Sequence, residues 1–416
     1  MLHQSINPSI HVVAAENSKS LELRQVKIAY ISDQHFPIEK ADSEQVMNTV
    51  SALSAEGVQF PLVIPKAWRN LGVSKEERLQ RLREFYQLSN GFHLHELLHL
   101  PLSNLRLEKY SHGFIAPLWA KFSGYNIIYT RNPLPAFVAV KLGMRIVYET
   151  YRIYGGRNLL LGKWLAKLTH TDKLLGIITH SQPSKDSLLE LGALDKKIAV
   201  IHNGFNDSLY SEPVSKTQAR RILNLPELEN IACFAGRLDR DKGVDTLVEL
   251  AARTPAINFY FIGVVQNESE DWIEKLAAEK NLQNVRRLPW MSVDKLRYYL
   301  FAADVLLIPP TSAPLVKARK TVLPIKLFQY LAAGRVILAP ALPDIQSVLN
   351  DANAVLVEPD NLEAASAGLR RIFADRQWSD ALARQSRRDS QEFTWQRRAQ
   401  KIIAFINEKL QENGST

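Results

Sequence analysis

The residues Gly236-Arg237-Leu238-Asp239-Arg240-Asp241-Lys242-Gly243 carry the densest chemistry in this chain of 416 residues. They follow an apolar run, Ile231–Ala235, and precede Val244–Ala252, where apolar residues recur at helical spacing. A glycine-bearing turn between a strand and a helix exposes backbone N–H groups and a helix N-terminus, a natural seat for an anion. Arg237 and Lys242 add two cations five residues apart, a combination suited to a diphosphate. The plain alternative is a strand-to-helix turn whose basic residues are merely solvated.

Such a turn needs a frame, and the apolar periodicity supplies one. Short apolar runs alternate with longer helical patterns, the mark of parallel sheets with crossover helices. Strands are predicted near Lys27–Ser32, Pro61–Pro65, Asn126–Tyr129, Arg145–Tyr148, Gly176–His180 and Ile198–His202 in the first half. In the second half they are predicted near Ile231–Ala235, Asn258–Gly263, Val285–Leu288, Val305–Ile308, Arg335–Ala339 and Ala354–Val357. A boundary is expected between Asn206 and Pro226, a stretch of turn residues and charges. The length suits two or three domains, and 46% hydrophobic residues suffice for large cores. The single cysteine, Cys233, lies inside an apolar run and reads as core filling, and one cysteine builds no internal disulfide framework. Met1–Leu23 lacks a basic start or a sustained apolar run and reads as a loose tail rather than a signal peptide. No stretch reaches the roughly 18 apolar residues of a membrane span, so a soluble or peripheral protein is expected.

A second segment joins the first. Leu323-Pro324-Ile325-Lys326-Leu327-Phe328-Gln329-Tyr330-Leu331-Ala332-Ala333-Gly334 precedes an apolar strand. Together the two segments resemble the donor half of glycosyltransferase family 4, with its Gly-Arg-Leu…Lys-Gly turn and its Pro-x-Lys-Leu-Phe-Glu-Tyr-Met-Ala-x-Gly helix. Ile201-His202-Asn203-Gly204-Phe205-Asn206 is similar to the family's Pro-Asn-Gly-Val-Asp, and Ala303-Asp304-Val305 to its Ala-Asp-Val strand. Phe36-Pro37-Ile38-Glu39-Lys40-Ala41 resembles the first loop of one branch of the family. The similarity runs from about Lys27 to Leu410.

The resemblance implies a GT-B fold: an α/β protein of two Rossmann-like parallel-sheet lobes facing each other across a cleft. On this reading residues 1–23 are the tail, 24–212 the acceptor lobe, 213–392 the nucleotide-sugar donor lobe, and 393–416 a last helix crossing back to the first lobe. A last helix that stays on its own lobe is the other reading. The implied activity is retaining transfer of a hexose from a nucleotide diphosphate to an acceptor hydroxyl, in polysaccharide, glycolipid or glycoconjugate assembly. No metal and no bound cofactor are implied, the nucleotide sugar being a co-substrate, and the implied compartment is the cytoplasm.

Residue by residue, Arg237 and Lys242 match the phosphate-binding pair, with Gly236 and Lys326 beside them. Gln329 stands where the family has a ribose-gripping glutamate, and Thr321, eight positions earlier, is not acidic either. A glutamine still accepts a hydrogen bond, but a neutral one. The base is implied to rest near Pro289, Trp290 and Met291. Glu39, Lys40 and Asp42 would border the cleft near the acceptor, with Asn203 at the end of the first lobe. Tyr148-Glu149-Thr150-Tyr151 resembles a Tyr-Glu-Leu-His segment, so Tyr151 replaces a histidine and can donate a hydrogen bond but not shuttle a proton as imidazole does. Glu149 either serves that site or is a strand-end carboxylate paired with Arg145 or Arg152. Lys317, Arg319 and Lys320 put three cations in a loop that faces the donor sugar in the family. They form either a solvated loop or a seat for an extra negative charge on donor or acceptor.

Charge and histidine spacing close the reading. From Arg106 to Lys173 eleven Lys or Arg stand against three acids, a net +8 within a chain of net +9. Leu159–Leu168 is amphipathic and basic, which fits either an anionic membrane surface or a crossover helix with its lysines in water. The basic residues form no nucleic-acid-reading motif. His93, His95 and His99 share no single strand or helix face, and no metal site is expected there. A non-catalytic nucleotide-sugar-binding scaffold or sensor is the rival reading, supported by Gln329 and Tyr151. An epimerase would want acid/base carboxylates or histidines, and no convincing set is visible.

Overall fold

The computed structural model describes residues 27–38, 40–58, 60–67, 70–88, 90–98, 107–318 and 323–414. The 1–23 tail, Glu39, Arg319, Lys320 and Thr321 lie outside the described residues, as does the side chain of Lys317. The chain forms two units: one runs to His180 and adds Ser184–Ile201 and the residues from Gln396 onward, and the other is built chiefly from His202–Trp395.

The first unit holds a seven-stranded sheet in the order β3-β2-β1-β4-β5-β6-β7. Its strands are β1 (Ile28–Ile31), β2 (Leu62–Lys66), β3 (Leu94–Leu98), β4 (Ile127–Thr130), β5 (Arg145–Thr150), β6 (Leu174–Thr179) and β7 (Ile198–Val200). The second unit holds β8 (Ile231–Ala235), β9 (Asn258–Ile262), β10 (Val285–Leu288), β11 (Val305–Leu307), β12 (Val336–Pro340) and β13 (Val355–Val357), ordered β10-β9-β8-β11-β12-β13. Every pairing is parallel. Helices therefore cover both faces, and the central strands are apolar throughout, as the runs Ile28–Ile31 and Ile231–Ala235 show. In each sheet the strand order reverses beside the first strand, between β1 and β4 and between β8 and β11. Crevices for ligands open outside the carboxyl ends of strands at such reversals.

Twelve strands were legible as apolar runs; β3 was not. It lies on the sheet edge, where His95 and Glu96 are only half-buried, so it needs no unbroken apolar run. The His95 ring stacks on Trp119 at 4.0 Å between centroids, which commits it to packing. Among the described residues no group of three or more His, Cys, Asp or Glu could hold a metal ion. Cys233 is buried in β8, and burial pushes its thiol up to about 12.

The segment from His202 joins the second unit ahead of the turn-rich Asn206–Pro226 stretch. Phe205 pairs with Thr394 as an isolated bridge, its N–H donating to Phe393 at 3.0 Å. Gly204 is required there, because a Cβ would fall 2.7 Å from the Phe393 carbonyl oxygen. The last helix, Trp395–Gly414, packs from Gln396 onward within the first unit. Its Phe405 ring sits 2.5 Å from where a Cβ on Gly176 of β6 would stand.

Glu149, at the carboxyl end of β5, organises this unit and has no exposed surface. Its carboxylate accepts from Tyr129 at 2.6 Å, Gln45 at 2.5 Å, His180 at 2.6 Å and Arg398 at 2.5 Å. Neither Arg145 nor Arg152 is its partner. Arg145 lies four residues back along the strand, about 13 Å away, and Arg152 follows the strand's end. Burial alone would push the Glu149 carboxyl up, but the Arg398 guanidinium, the His180 hydrogen bond and Arg131 hold it well below the usual carboxylate range. Burial pushes His180 down to about 4, so the neutral imidazole donates to the carboxylate.

Glu149→Gln should leave the Arg398 guanidinium buried without its counter-charge and cost the first unit about 3–5 kcal/mol. Arg398→Met should cost a similar amount, and the double variant less than the sum of the two, in chemical denaturation of each protein. Additive losses would refute the pairing. His180 titrates near 6.5 when unfolded and near 4 when folded. The unfolded chain therefore binds more protons across that window, and stability must fall as pH drops through it. His180→Gln should flatten the pH dependence of Tm between those limits, and an unchanged slope would show that another group carries it.

Candidate active site

The second unit gathers its cations where β8 ends. β8 runs straight into the Gly236–Gly243 turn, and the Val244–Arg253 helix starts at its far side with Gly243 as N-cap at φ 74°. Two glycines make the turn: Gly236 adopts φ 141° and Gly263, just past β9, φ 151°. A Cβ on Gly263 would fall 1.8 Å from the Gly236 carbonyl oxygen, so the two backbones touch only because neither has a side chain. A Cβ on Gly243 would meet Thr311 at 2.4 Å, which sets the turn against the Pro309–Thr311 loop after β11.

Lys326, in the first turn of the Lys326–Ala333 helix, comes back toward the same place. A Cβ on Gly236 would stand 2.9 Å from its ammonium, which lies 3.4 Å above the centre of the Phe234 ring. Burial, with the charge of Lys242 adding to it, pushes this ammonium well below the usual lysine range. No carboxylate pairs with Lys326 among the described residues. Tyr330, one turn further on, receives the Ala235 N–H at 2.8 Å and pins the helix to β8. Gln329 is buried on the same helix.

Arg237 is held from two sides. Its Nε lies 2.7 Å from Asp239, and a terminal nitrogen donates to Asp241. Asp239 is fully buried and also accepts from the backbone N–H groups of Gln266 at 2.9 Å and Asn267 at 3.2 Å. The carboxylate thus aims the guanidinium while tying the turn to the loop after β9. Pro289, Trp290 and Met291 follow β10, with Trp290 and Pro289 exposed. The neighbouring strand ends are linked by the Gly263 N–H donating to the Leu288 carbonyl at 3.1 Å. Gly236, Arg237, Lys242 and Lys326 are therefore brought together, with Gln329 on the Lys326–Ala333 helix and the Pro289–Met291 turn at the end of β10. Asp239, Gly263, Phe234 and Tyr330 were not singled out from the sequence. Asp239 alone had a visible signal, as an acid inside the basic turn.

The first unit has a recess of its own at the β1/β4 reversal. It is lined by Tyr30, Gln34, Asp42, Arg131, Tyr151 and Arg152, with Glu149 at its base. Asp42 accepts from Gln34 at 2.6 Å, and its carbonyl accepts from Arg131 at 3.1 Å. Arg131 also donates to Gln45 and lies 5.4 Å from the centre of the Tyr151 ring. The Tyr30 hydroxyl is buried and makes no hydrogen bond. The guanidinium of Arg152 has no carboxylate partner among the described residues. Asp42, Glu149 and Tyr151 thus share one recess, whereas Lys40 is exposed before the Ala41–Ala55 helix, and Asn203 is buried and belongs to the second unit.

Residues 215–389 match the family described as Glycosyl transferases group 1. The putative colanic acid biosynthesis glycosyl transferase WcaI of Escherichia coli (strain K12) is 31% identical over 158 residues, 37% of this chain and 38% of that protein. A D-inositol 3-phosphate glycosyltransferase of Geodermatophilus obscurus is 25% identical over 234 residues, 53% of this chain and 49% of that one. The chain thus spans about two-fifths and about half of the length of these curated relatives. Sucrose-phosphate synthase (tll1590) from Thermosynechococcus elongatus superposes with a TM-score of 0.70 at 22% identity, covering 94% of this chain and 100% of that one. Anabaena Alr3699/HepE in complex with UDP superposes with a TM-score of 0.68 at 16% identity, over 94% and 100% of the two chains. At these identities the likeness is one of fold, the GT-B class of two Rossmann-like parallel-sheet lobes. Residues 215–389, within the second unit, thus match the family described as Glycosyl transferases group 1, and the fold is of the GT-B class.

Proposed function

We propose that this protein is a retaining glycosyltransferase that moves a hexose from a nucleotide diphosphate to an acceptor hydroxyl without a metal ion. The observation that carries the reading is Lys326: a half-buried lysine whose ammonium lies over Phe234 and against Gly236, beside Lys242 and without a carboxylate partner among the described residues. A cation so placed gains most from an anion that replaces its lost hydration. The diphosphate of a nucleotide sugar has the charge and the size, and the UDP complex of Alr3699/HepE supports that ligand class.

In the proposed reaction the bond from the anomeric carbon to the diphosphate oxygen breaks while the acceptor oxygen bonds to the same face of that carbon. The acceptor proton passes to the departing phosphate oxygen. Arg237, Lys242 and Lys326 stabilise the negative charge that collects there, and Gln329 is assigned the ribose. Asp42, Tyr151 and Arg152 are assigned the acceptor, and the Pro289–Met291 turn the base. Retention, metal independence, a cytoplasmic setting and a place in polysaccharide, glycolipid or glycoconjugate assembly rest on the family resemblance. Gln329 and Tyr151 favour the second reading, a scaffold that binds donors without turning them over.

Thermal melts against UDP-, GDP-, ADP- and dTDP-sugars should single out one nucleotide. A ligand at a hundred times its Kd adds about 2.7 kcal/mol to apparent stability. Arg237→Ala should abolish that shift and lower kcat by about 10²–10³, the usual cost of one preorganised donor. Proton NMR of the product should show the donor's anomeric configuration. Binding without turnover of any acceptor would favour the scaffold, and an inverted product would overturn retention.

Donor affinity should also depend on pH through Lys326. Its charged form binds the diphosphate, and that form is lost as pH rises through the depressed pKa. Titration calorimetry should therefore show affinity weakening toward alkaline pH, with proton uptake on binding. Lys326→Arg should remove both effects, because a guanidinium stays charged. Persistence of either in the variant would exclude Lys326 as their source.

A further inference from the structure

Three consecutive crossover helices of the first unit, Leu107–Phe122, Pro133–Lys141 and Leu159–Leu168, lie side by side on one face of its sheet. Their inner residues, among them Ala116, Ala120, Ala136, Ala139 and Leu165, join a single core with β4 and β5. A Cβ on Gly113 would fall 2.6 Å from Leu134, and the Phe137 and Trp164 rings lie 6.1 Å apart, so each helix touches the next. A helix with one buried face should turn polar side chains to water on the other. These three do not.

On the outer face of Leu107–Phe122, Tyr110, Phe114, Leu118 and Phe122 recur every fourth residue, and Phe122 is 86% exposed. Phe137 and Leu160, the latter 82% exposed, continue the apolar surface on the next two helices. Lys109, Lys121, Lys141, Lys163 and Lys167 surround it, all exposed. Their one acid, Glu108, is 2.7 Å from His35. Lys141 holds its ammonium over the Phe137 ring, 5.6 Å from its centre.

We propose that this face docks on an anionic lipid bilayer. Bulky apolar tips among five lysines, on the outer faces of three neighbouring helices, match an interface of acyl chains beneath negative headgroups. A protein partner would need acids placed opposite each lysine; a bilayer supplies negative charge everywhere. No helix among the described residues is long and apolar enough to cross a membrane, so the contact is peripheral. It holds whether or not the second unit transfers a sugar.

Co-sedimentation of the full chain with vesicles of phosphatidylcholine, with and without phosphatidylglycerol, tests this. The protein should pellet with the anionic vesicles, and added salt should release it. Phe114→Ser/Phe122→Ser and Lys121→Glu/Lys163→Glu/Lys167→Glu should each weaken binding at least about tenfold, while thermal melts confirm that both variants are folded. Absence of binding to anionic vesicles, or folded variants that bind as the parent does, would overturn the proposal. So would a dimer seen by light scattering that Phe122→Ser dissolves, since a second copy would then cover the face.

Discussion

One buried carboxylate governs the first unit. Glu149 sits where a helix, β4, the end of β6 and the last helix of the chain converge, and each sends it a donor: Gln45, Tyr129, His180 and Arg398. A charge without solvent is tolerable only when its partners are in place together, because the loss of one strands the others. Arg398 is itself buried and also donates to Thr49 and the Ile201 carbonyl. The ion pair thus fixes the last helix by direction as well as by apolar contact. The Phe405–Gly176 approach alone would permit sliding along the sheet.

The same hub shapes the recess above it. Gln45 donates to Glu149 with its amide nitrogen, leaving its oxygen to receive Arg131. Arg131 is therefore held toward Asp42 and Tyr151 by a chain of hydrogen bonds that begins at the buried carboxylate. Glu149 has no exposed surface and is already engaged by four donors, three on Oε1 and Tyr129 on Oε2. Its part is to position Arg131 through Gln45, while Tyr30, Asp42, Tyr151 and Arg152 line the recess.

Much of this was legible in the sequence, and the illegible part has a physical pattern. Parallel central strands must be apolar on both faces, so all nine stood out, as did three of the four edge strands, while the edge strand β3 escaped because His95 and Glu96 interrupt its apolar run. The Gly236–Gly243 turn was legible because glycine and charge cluster within eight residues. The partner of Glu149 was not, since Arg398 lies 249 residues away and nearer arginines looked adequate. Leu159–Leu168 read as amphipathic, yet the pattern could not tell which leucines face the sheet. Gly162 lies against Tyr154 and Leu191, which turns Leu165 inward and Leu160 outward.

The cations of this chain are alike in sequence and opposite in physics. The five lysines of the outer helical face sit in water, where two unit charges 4 Å apart interact by about 1 kcal/mol, and salt screens them beyond about 8 Å. They act only in number, on a surface that is itself multiply charged. Lys326 lies half-buried over Phe234 and beside a turn with no side chain at Gly236, so a single anion gains more there, and salt reaches it less. A net charge of +9 therefore says little by itself. Its meaning is set by which lysines the fold has taken out of water, and in the second unit the choice falls on the one that Phe234, Gly236 and Lys242 surround.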